Sequence, residues 1–270
     1  MVEVKSIGVL GVGNMGGALV RGLLRAKIAD ADQVFVYDAH AGAMDALVSE
    51  TGCRPTEGAA ELFTQCDAII LAVKPQIFHH IAPGLKEMGT NGERVVLSVM
   101  AGVPSPALRA YFPSDWKVVR VMPNLPLSVG EGATAIETDG HSEATLLLAE
   151  RIFNAGGSTV RVTASQMDAV TGLSGSGPMY VFEFVEGLVA AGVKSGLSRQ
   201  VALELVLQTI RGSLQLLAGG EHPSAWTARV CSPAGTTVHG LHVLESAGFK
   251  GIIIAAVEAA VHRSQELSKK

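Results

Sequence analysis

The chain has 270 residues and a formal net charge of −4, with 48% hydrophobic and 5% aromatic residues. This length allows two moderate domains with apolar cores, and the absence of a basic excess argues against nucleic acid or an anionic membrane as a partner. Three isolated cysteines, Cys53, Cys66 and Cys231, form no C-x-x-C pair, which disfavours a disulfide framework or a structural zinc site. Because the N-terminus also lacks the pattern of a secretory signal, we expect a cytoplasmic protein.

The first part of the chain alternates between strand-like and helix-like segments. Apolar runs predict strands at 6–10, 34–37, 67–73, 94–99, 117–122 and 133–137, and helical spacing predicts helices at 16–26 and 43–51. Several of the strands are apolar at every position, which is typical of strands buried on both faces. We therefore predict an α/β dinucleotide-binding domain over residues 1–163, with a Rossmann-like, doubly wound and mostly parallel sheet.

The pattern changes to helices alone from residue 164 onward. Long segments rich in Ala, Leu and Val predict helices near 165–193, 199–218, 233–247 and 249–268. Helices that are apolar on nearly every side need burial in a larger assembly. The apolar run GIIIAAVEAAV is too short to span a bilayer and contains Glu258. We therefore predict an all-helical domain over residues 164–270 that forms a homodimer and is not inserted in a membrane.

A glycine-rich motif separates the first predicted strand from the first predicted helix. It has the form G-x-G-x-x-G and consists of Gly11, Val12, Gly13, Asn14, Met15 and Gly16. In this position the motif is typical of dinucleotide binding, because the amides at the start of the helix can bind the pyrophosphate. A glycine turn without a nucleotide is the alternative.

The second predicted strand ends at an acidic residue, Asp38, which lies 22 positions after Gly16. A carboxylate there can bind the adenosine ribose hydroxyls and repel the extra phosphate of NADP, which favours NADH. The alternative is a solvated aspartate at a strand end. His40 lies close enough in sequence to meet a phosphate, so the preference depends on its role.

Three loops follow later strands and should meet at the same edge of the sheet, where ligands of such folds bind. They contain Ala72, Val73, Lys74 and Pro75 in the first loop, Met100 and Ala101 in the second, and Asn124 in the third. We expect them to contact the cofactor. Their prolines and glycines are also explained by turn formation alone.

A second distinctive segment, SPAGTTVHG, begins at Ser232. Proline and glycine end the preceding element, and Thr236 and Thr237 then open an apolar helical run. Hydroxyl residues are favoured at helix starts in any protein, so a simple capped helix is one interpretation. The other is an anion site at the helix N-terminus.

The chain resembles the pyrroline-5-carboxylate reductase family over nearly its whole length. The similarity is carried by GVGNMGGALVRGLL, DAIILAVKPQ, VVRVMPNLPLSVGEGATA, DAVTGLSGSGPMYVFEFVEGL and SPAGTTVHGLHVLESAGFKGIIIAAVEAAVHRSQEL. The N-terminal motif is shared with many dehydrogenases. The SGSGP and SPxGTT segments, in this order, are much more specific.

The resemblance implies hydride transfer from NADPH or NADH to the C=N carbon of 1-pyrroline-5-carboxylate, which gives L-proline without a metal. It places the cofactor phosphates on the motif at 11–16 and the nicotinamide against the loops named above. It places the substrate at Ser232, Gly235, Thr236 and Thr237. On this basis we assign the substrate carboxylate to Ser232 and the backbone of Gly235 and Thr236, and the ring nitrogen to the Thr237 hydroxyl. The resemblance also implies an intertwined dimer with an active site built from two chains, and a further ring of dimers.

This chain departs from the family pattern at three places. Many members carry Asn-Arg where this chain has Asp38-Ala39, so the usual partner of the NADPH 2′-phosphate is missing. An asparagine that often contacts the adenosine ribose is absent around residues 58–60. Finally, Ala234 stands where glycine is usual. A positive φ would cost an alanine about 1 kcal/mol or more, so we expect a milder backbone geometry there.

Two other functions fit parts of the sequence. A β-hydroxyacid dehydrogenase would need a catalytic lysine with an asparagine one turn later, but Lys194 is followed by Ser198. A nucleotide-sensing protein without catalysis would not need the intact SPxGTT segment. We therefore favour the reductase.

Overall fold

The computed structural model describes residues 4–83, 85 and 92–268. Two compact units are distinguished by their internal contacts. The first contains the chain up to Ser176 and the segment from Ala259 onward, and the second contains Gly177–Glu258. The domain boundary predicted between residues 163 and 164 stays a prediction.

The first unit is built on one eight-stranded sheet with the order β3-β2-β1-β4-β5-β6-β7-β8. Every neighbouring pair is parallel except β6 and β7. This confirms the predicted Rossmann-like, mostly parallel sheet. The strands are β1 (Ile7–Leu10), β2 (Val34–Tyr37), β3 (Arg54–Pro55), β4 (Ala68–Leu71), β5 (Val95–Ser98), β6 (Lys117–Met122), β7 (Gly132–Glu137) and β8 (Gly157–Val162).

Helices join the strands and bury the sheet between two apolar clusters. Because side chains alternate along a strand, Ile70 of β4 packs in one cluster, and Ile69 and Leu71 pack in the other. A π-helical turn, Thr171–Gly175, follows directly after the helix at Met167–Val170. The helices are α1 (Asn14–Arg25), α2 (Ala41–Thr51), α3 (Ala59–Gln65), α4 (Pro75–Ile81), α5 (Ser105–Arg109), α6 (Glu143–Phe153) and α7 (Met167–Val170).

The second unit consists of helices, as predicted. They are α8 (Gly177–Lys194), α9 (Arg199–Leu217), α10 (Pro223–Val230), α11 (Thr236–Ser246) and most of α12 (Phe249–Ser268). A Cβ at Gly192 of α8 would lie 2.9 Å from the Ala202 Cβ of α9, so glycine allows this close helix packing. Of the residues that the structure describes in this unit, only Val189 and Ala202 are buried apolar residues.

The last turns of α12 belong to the first unit. Ser264 is 3% exposed, and its hydroxyl donates a hydrogen bond to Asp168 Oδ1 at 2.6 Å. A Cβ at Gly102, where φ is +73°, would lie 3.0 Å from Leu267 Cβ. The end of α12 is therefore held against the region that precedes α8 and against the loop after β5.

In the described ranges, no single helix is long and apolar enough to cross a membrane, although α11 and α12 pass this test together as a pair bent by 48°.

Candidate functional site

The glycine motif forms a tight turn between β1 and α1, and its glycines have three different roles. Gly11 has φ +91°, which favours glycine. Gly13 faces open space, with no atom of the described residues within 4 Å of a Cβ built there. A Cβ at Gly16 would collide with the carbonyl of Gly11. The turn, the open approach and the close helix packing are the features by which such a motif accepts a pyrophosphate.

The carboxylate of Asp38 holds the glycine turn in place. Its Oδ2 accepts a hydrogen bond from Val12 N at 2.8 Å, and its Oδ1 accepts one from His40 N at 2.9 Å. Asp38 is half-buried, and its predicted contact with the ribose stays a prediction. Each carboxylate oxygen still has a second lone pair for a ligand hydroxyl.

His40 is the N-cap of α2. Its Nδ1 accepts a hydrogen bond from Ala43 N at 3.2 Å. This ring nitrogen is therefore engaged at the start of α2. Between Asp38 and His40 lies the exposed, neutral Ala39.

An open cleft of about 430 Å³ lies over the carboxyl ends of β1, β2 and β4. It brings together many of the predicted cofactor residues, namely Gly11, Gly13, Asn14, Met15, Asp38, Ala72, Val73 and Lys74. Leu10, Tyr37, Ala39, Ile77 and Ile81 also line it and were not predicted. Tyr37 and Ala39 could have been predicted to line the cleft, because they are the sequence neighbours of Asp38. The cleft has the place and the lining expected for a dinucleotide.

The other predicted cofactor residues do not line this cleft. Val12 and Gly16 are buried behind the glycine turn, and Pro75 is the first residue of α4. Met100 is 2% exposed and its side chain packs in the apolar core, whereas Ala101 beside it is exposed. Their predicted contacts with the cofactor stay predictions.

Asn124 joins three segments of the first unit. Its Nδ2 donates a hydrogen bond to Ser174 O at 3.2 Å, and its Oδ1 accepts one from Ala133 N at 2.9 Å. The amide therefore ties the loop after β6 to the π-helical turn and to β7. Both polar groups of Asn124 are engaged within the protein, and its predicted contact with a cofactor stays a prediction.

The segment before α11 turns through a left-handed residue. Ala234 has φ +55°, so the expectation of a milder backbone geometry was wrong. The turn is closed by a hydrogen bond of 3.0 Å from Gly235 N to Ser232 O, and Gly235 becomes the N-cap of α11. A Cβ at Gly235 would collide with the Ser232 hydroxyl, so this position requires glycine. The strained backbone angle of the turn falls on Ala234 instead.

The N-terminus of α11 is open. Within the described part of the chain, no side chain caps it. Ser232, Thr236 and Thr237 are exposed, so their hydroxyls and the first amides of α11 are free to bind a ligand. Gly235 N already donates a hydrogen bond within the turn. The backbone donors that remain for a ligand are therefore the amides of Thr236 and Thr237. These residues lie in the second unit, and the cleft of the glycine turn lies in the first.

No group of three or more His, Cys, Asp or Glu side chains among the described residues could hold a metal ion.

The sheet, the glycine turn and the cleft define a dinucleotide-dependent oxidoreductase. A family model described as NADP oxidoreductase, coenzyme F420-dependent, matches residues 6–102, and one described as pyrroline-5-carboxylate reductase dimerisation matches residues 164–267. Pyrroline-5-carboxylate reductase of Methanosarcina acetivorans is 38% identical over 100% of both chains. Pyrroline-5-carboxylate reductase 3 of Rattus norvegicus is 36% identical over 100% of this chain and 98% of the rat protein.

Solved structures agree with these relatives. The Plasmodium falciparum pyrroline carboxylate reductase with NADP bound is 33% identical, with a TM-score of 0.87 over 98% of both chains. The Coxiella burnetii pyrroline-5-carboxylate reductase is 31% identical, with a TM-score of 0.90 over 99% of this chain and 100% of that one. The chain therefore belongs to the pyrroline-5-carboxylate reductase family. It is an NAD(P)H-dependent oxidoreductase that reduces 1-pyrroline-5-carboxylate to L-proline, and it carries the dimerisation domain of the family. This confirms the predicted family and reaction.

Proposed function

We propose that the N-terminus of α11 binds the substrate carboxylate and that the cleft over the glycine turn binds the nicotinamide cofactor. The observation that carries the proposal is the left-handed turn at Ala234, with φ +55°, which leads into an uncapped helix. Strained backbone that persists at an exposed turn is typical of binding sites. The helix dipole and free amides of α11 favour an anion at this end.

Ser232, Thr236 and Thr237 supply the donors for the carboxylate. The amides of Thr236 and Thr237 begin α11, and the Ser232 hydroxyl lies over Gly235. Hydrogen bonds to a carboxylate are charge-assisted and stronger than those between neutral groups. No buried lysine or arginine is then needed to orient the substrate.

The Thr237 hydroxyl is assigned to the ring nitrogen. A hydroxyl can donate and accept, so it can hydrogen-bond the imine and later the amine. The C=N carbon accepts a hydride, which brings both electrons, and the nitrogen ends with a proton. The cofactor supplies that hydride when it is bound. The protein contributes mainly orientation and close approach of the two reacting carbons, which can lower the barrier by several kcal/mol.

Substitution of Thr237 tests its role at the nitrogen. Thr237→Val keeps the shape but removes the hydroxyl, and we expect kcat to fall roughly 100-fold, the usual scale for a positioned proton-transfer group. Dissociation constants for NADH and NADPH, measured by fluorescence, should not change. Thr237→Ser is the matched control and should keep most of the activity. An unchanged kcat in Thr237→Val would remove this assignment.

Substitution of Ser232 tests the carboxylate site separately. Ser232→Ala should raise the KM for 1-pyrroline-5-carboxylate about tenfold, the loss of one hydrogen bond to a charged group, with a smaller effect on kcat. A KM equal to that of the parent would place the carboxylate elsewhere.

We also propose that the second unit forms a homodimer, that such dimers associate into a ring, and that the enzyme is cytoplasmic. The exposed apolar side chains of this unit support the dimer, because an apolar surface of this kind marks an interaction site. Light scattering coupled to size exclusion, over a range of protein concentrations, distinguishes a dimer from a larger ring.

A further inference from the structure

The cleft over the glycine turn has an acidic end and a basic end. Asp38 lines it where β2 ends, and Lys74 lines it where β4 ends. Because β1 lies between β2 and β4 in the sheet, the two charges flank the glycine turn on opposite sides. In a Rossmann-like sheet, the adenosine ribose lies at the end of the second strand. The Asp38 side of the cleft is therefore the ribose side.

The described residues around Asp38 include no lysine or arginine. Ala39 has no polar group, and the Nδ1 of His40 is engaged by the hydrogen bond from Ala43 N. Tyr37, which also lines the cleft, is not a basic residue. A bound 2′-phosphate would thus meet the Asp38 carboxylate without a lysine or arginine beside it.

Two arginines on the adjoining elements lie beside acidic residues. Arg21 of α1 forms an ion pair of 2.6 Å with Glu50 of α2. Arg54 of β3, the strand beside β2, lies 3.9 Å from Asp32. Neither arginine lines the cleft.

We propose that this enzyme selects NADH over NADPH and that Asp38 is the residue that determines the choice. The proposal rests on the cofactor position proposed above. The ribose of NADH presents two hydroxyl donors, and the carboxylate oxygens have free lone pairs to accept them. NADPH replaces one donor with a dianionic phosphate that only accepts hydrogen bonds, beside a carboxylate that also only accepts. The solved Plasmodium falciparum relative has NADP bound, and we propose the NADH preference for this chain alone.

Asp38 has a second role that determines how the proposal can be tested. Its carboxylate accepts hydrogen bonds from the amides of Val12 and His40, so it also fixes the glycine turn. Any substitution of Asp38 disturbs the binding of both cofactors. Ala39 is the better position, because its exposed methyl group lines the cleft beside Asp38 but makes no hydrogen bond.

The first experiment compares the two cofactors on the intact enzyme. We expect kcat/KM for NADH, at saturating 1-pyrroline-5-carboxylate, to exceed that for NADPH by about tenfold or more, as expected when a like charge faces the phosphate. In Ala39→Arg, the ratio of kcat/KM for NADPH to kcat/KM for NADH should rise about tenfold. Ala39→Gln, which adds length without charge, is the matched control and should leave the ratio as in the parent. A parent enzyme that prefers NADPH, or an unchanged ratio in Ala39→Arg, would overturn the proposal.

A second experiment examines the adenosine end without turnover. Binding of 5′-AMP and of 2′,5′-ADP is measured by calorimetry on the same three proteins. We expect 5′-AMP to bind more tightly to the parent, and 2′,5′-ADP to gain in Ala39→Arg. Tighter binding of 2′,5′-ADP to the parent contradicts the proposal. Because this measurement needs no substrate, failure of the α11 site alone would leave its result unaffected.

Discussion

The two units of this protein differ in where their apolar side chains lie: those of the first unit are mostly buried, and those of the second are mostly exposed. In the first unit, strands such as β4 and β5 are buried at every position, and aromatic rings pack into a continuous cluster. In the second unit, apolar side chains lie on the surface along α8, α9 and α12, among them Phe182, Leu205 and Ile252. Among the described residues, all buried apolar ones except Val189 and Ala202 lie in the first unit.

The two units therefore differ in what stabilises them. The first unit closes its core within one chain, since its sheet is covered on both faces. The second unit leaves on its surface the side chains that a helical domain normally buries, so its stability depends on a partner surface. The four substitutions below test this division, from the largest expected effect to the smallest.

Removing a buried ring should weaken the first unit alone. Phe63 is fully buried and lies 5.9 Å from the ring of Phe112 and 6.1 Å from that of Trp116. We expect Phe63→Ala to lower the free energy of unfolding by about 4 kcal/mol, because it loses transfer energy and leaves a cavity. Denaturant titration measures this loss. The dimer dissociation constant should stay the same, and a large change in it would mean that the two units are not separate in stability.

Placing a charge on α8 should act mainly on assembly. Leu188 is 38% exposed and lines an apolar groove of the second unit. Leu188→Asp should weaken the dimer at least about 100-fold, since burial of an unpaired carboxylate costs several kcal/mol. Leu147→Asp is the matched control, because Leu147 is 46% exposed on α6 of the first unit. Sedimentation at several concentrations compares the two, and equal dissociation constants would contradict the division.

His141 is one of several residues of the first unit with buried polar atoms that lack a hydrogen-bond partner among the described residues. Both ring nitrogens of His141 are buried and lack a partner among the described residues. Burial, with help from Arg109 and Lys117 and against Asp139, lowers the pKa of His141 to about 4. The unfolded chain keeps a histidine pKa near 6.5, so between pH 6.5 and 4 it binds more protons than the folded chain.

The free energy of unfolding should therefore fall as the pH falls through that range. His141→Phe removes the titrating group without breaking a hydrogen bond, and should reduce this fall by about 1–2 kcal/mol. Urea titrations of both proteins at pH 7 and pH 4.5 give the difference. An identical fall in both proteins would show that His141 contributes nothing to it.

The smallest effect concerns a non-glycine residue with positive φ, of which each unit has one example among the described residues. Ala234 has φ +55° and Lys27 has φ +54°, and both are exposed. Glycine accepts this region freely, so Ala234→Gly should stabilise the protein by about 0.5–1 kcal/mol. Lys27→Gly in the first unit should give a gain of the same size, measured by thermal unfolding. A loss of stability in Ala234→Gly would mean that the alanine is held by contacts of its own.

Much of the first unit could be predicted from sequence because its signals are local. The glycine turn, the apolar strands and the change to helices near residue 164 are each visible in a short window. The two edge strands could not be predicted this way. β3 consists of only Arg54 and Pro55, and β8 is half-exposed and begins with a glycine. Short or exposed strands lack the continuous apolar run that marks a buried one.

The sequence predicts which residue types lie near the site, but it does not predict the direction or the partners of their side chains. The sequence predicts Asp38 as a carboxylate for the ribose, but its hydrogen bond from Val12 N depends on how the chain folds. Met100 lies in the right loop, but its side chain points into the core. Asn124 was expected at the cofactor, and its bonds to Ser174 and Ala133 join segments far apart in sequence. Sequence position gives the loop, whereas side-chain direction depends on tertiary packing.

The apolar surface of the second unit also has a consequence for the rate at which the enzyme forms. The sheet of the first unit can form within a single chain, at a rate that does not depend on concentration. A helical unit that needs a second chain to cover it completes its structure only after an encounter, which is a bimolecular step. At low protein concentration, recovery of activity after dilution from denaturant should therefore lag behind recovery of the sheet. The half-time of that lag should shorten in proportion as the concentration is raised.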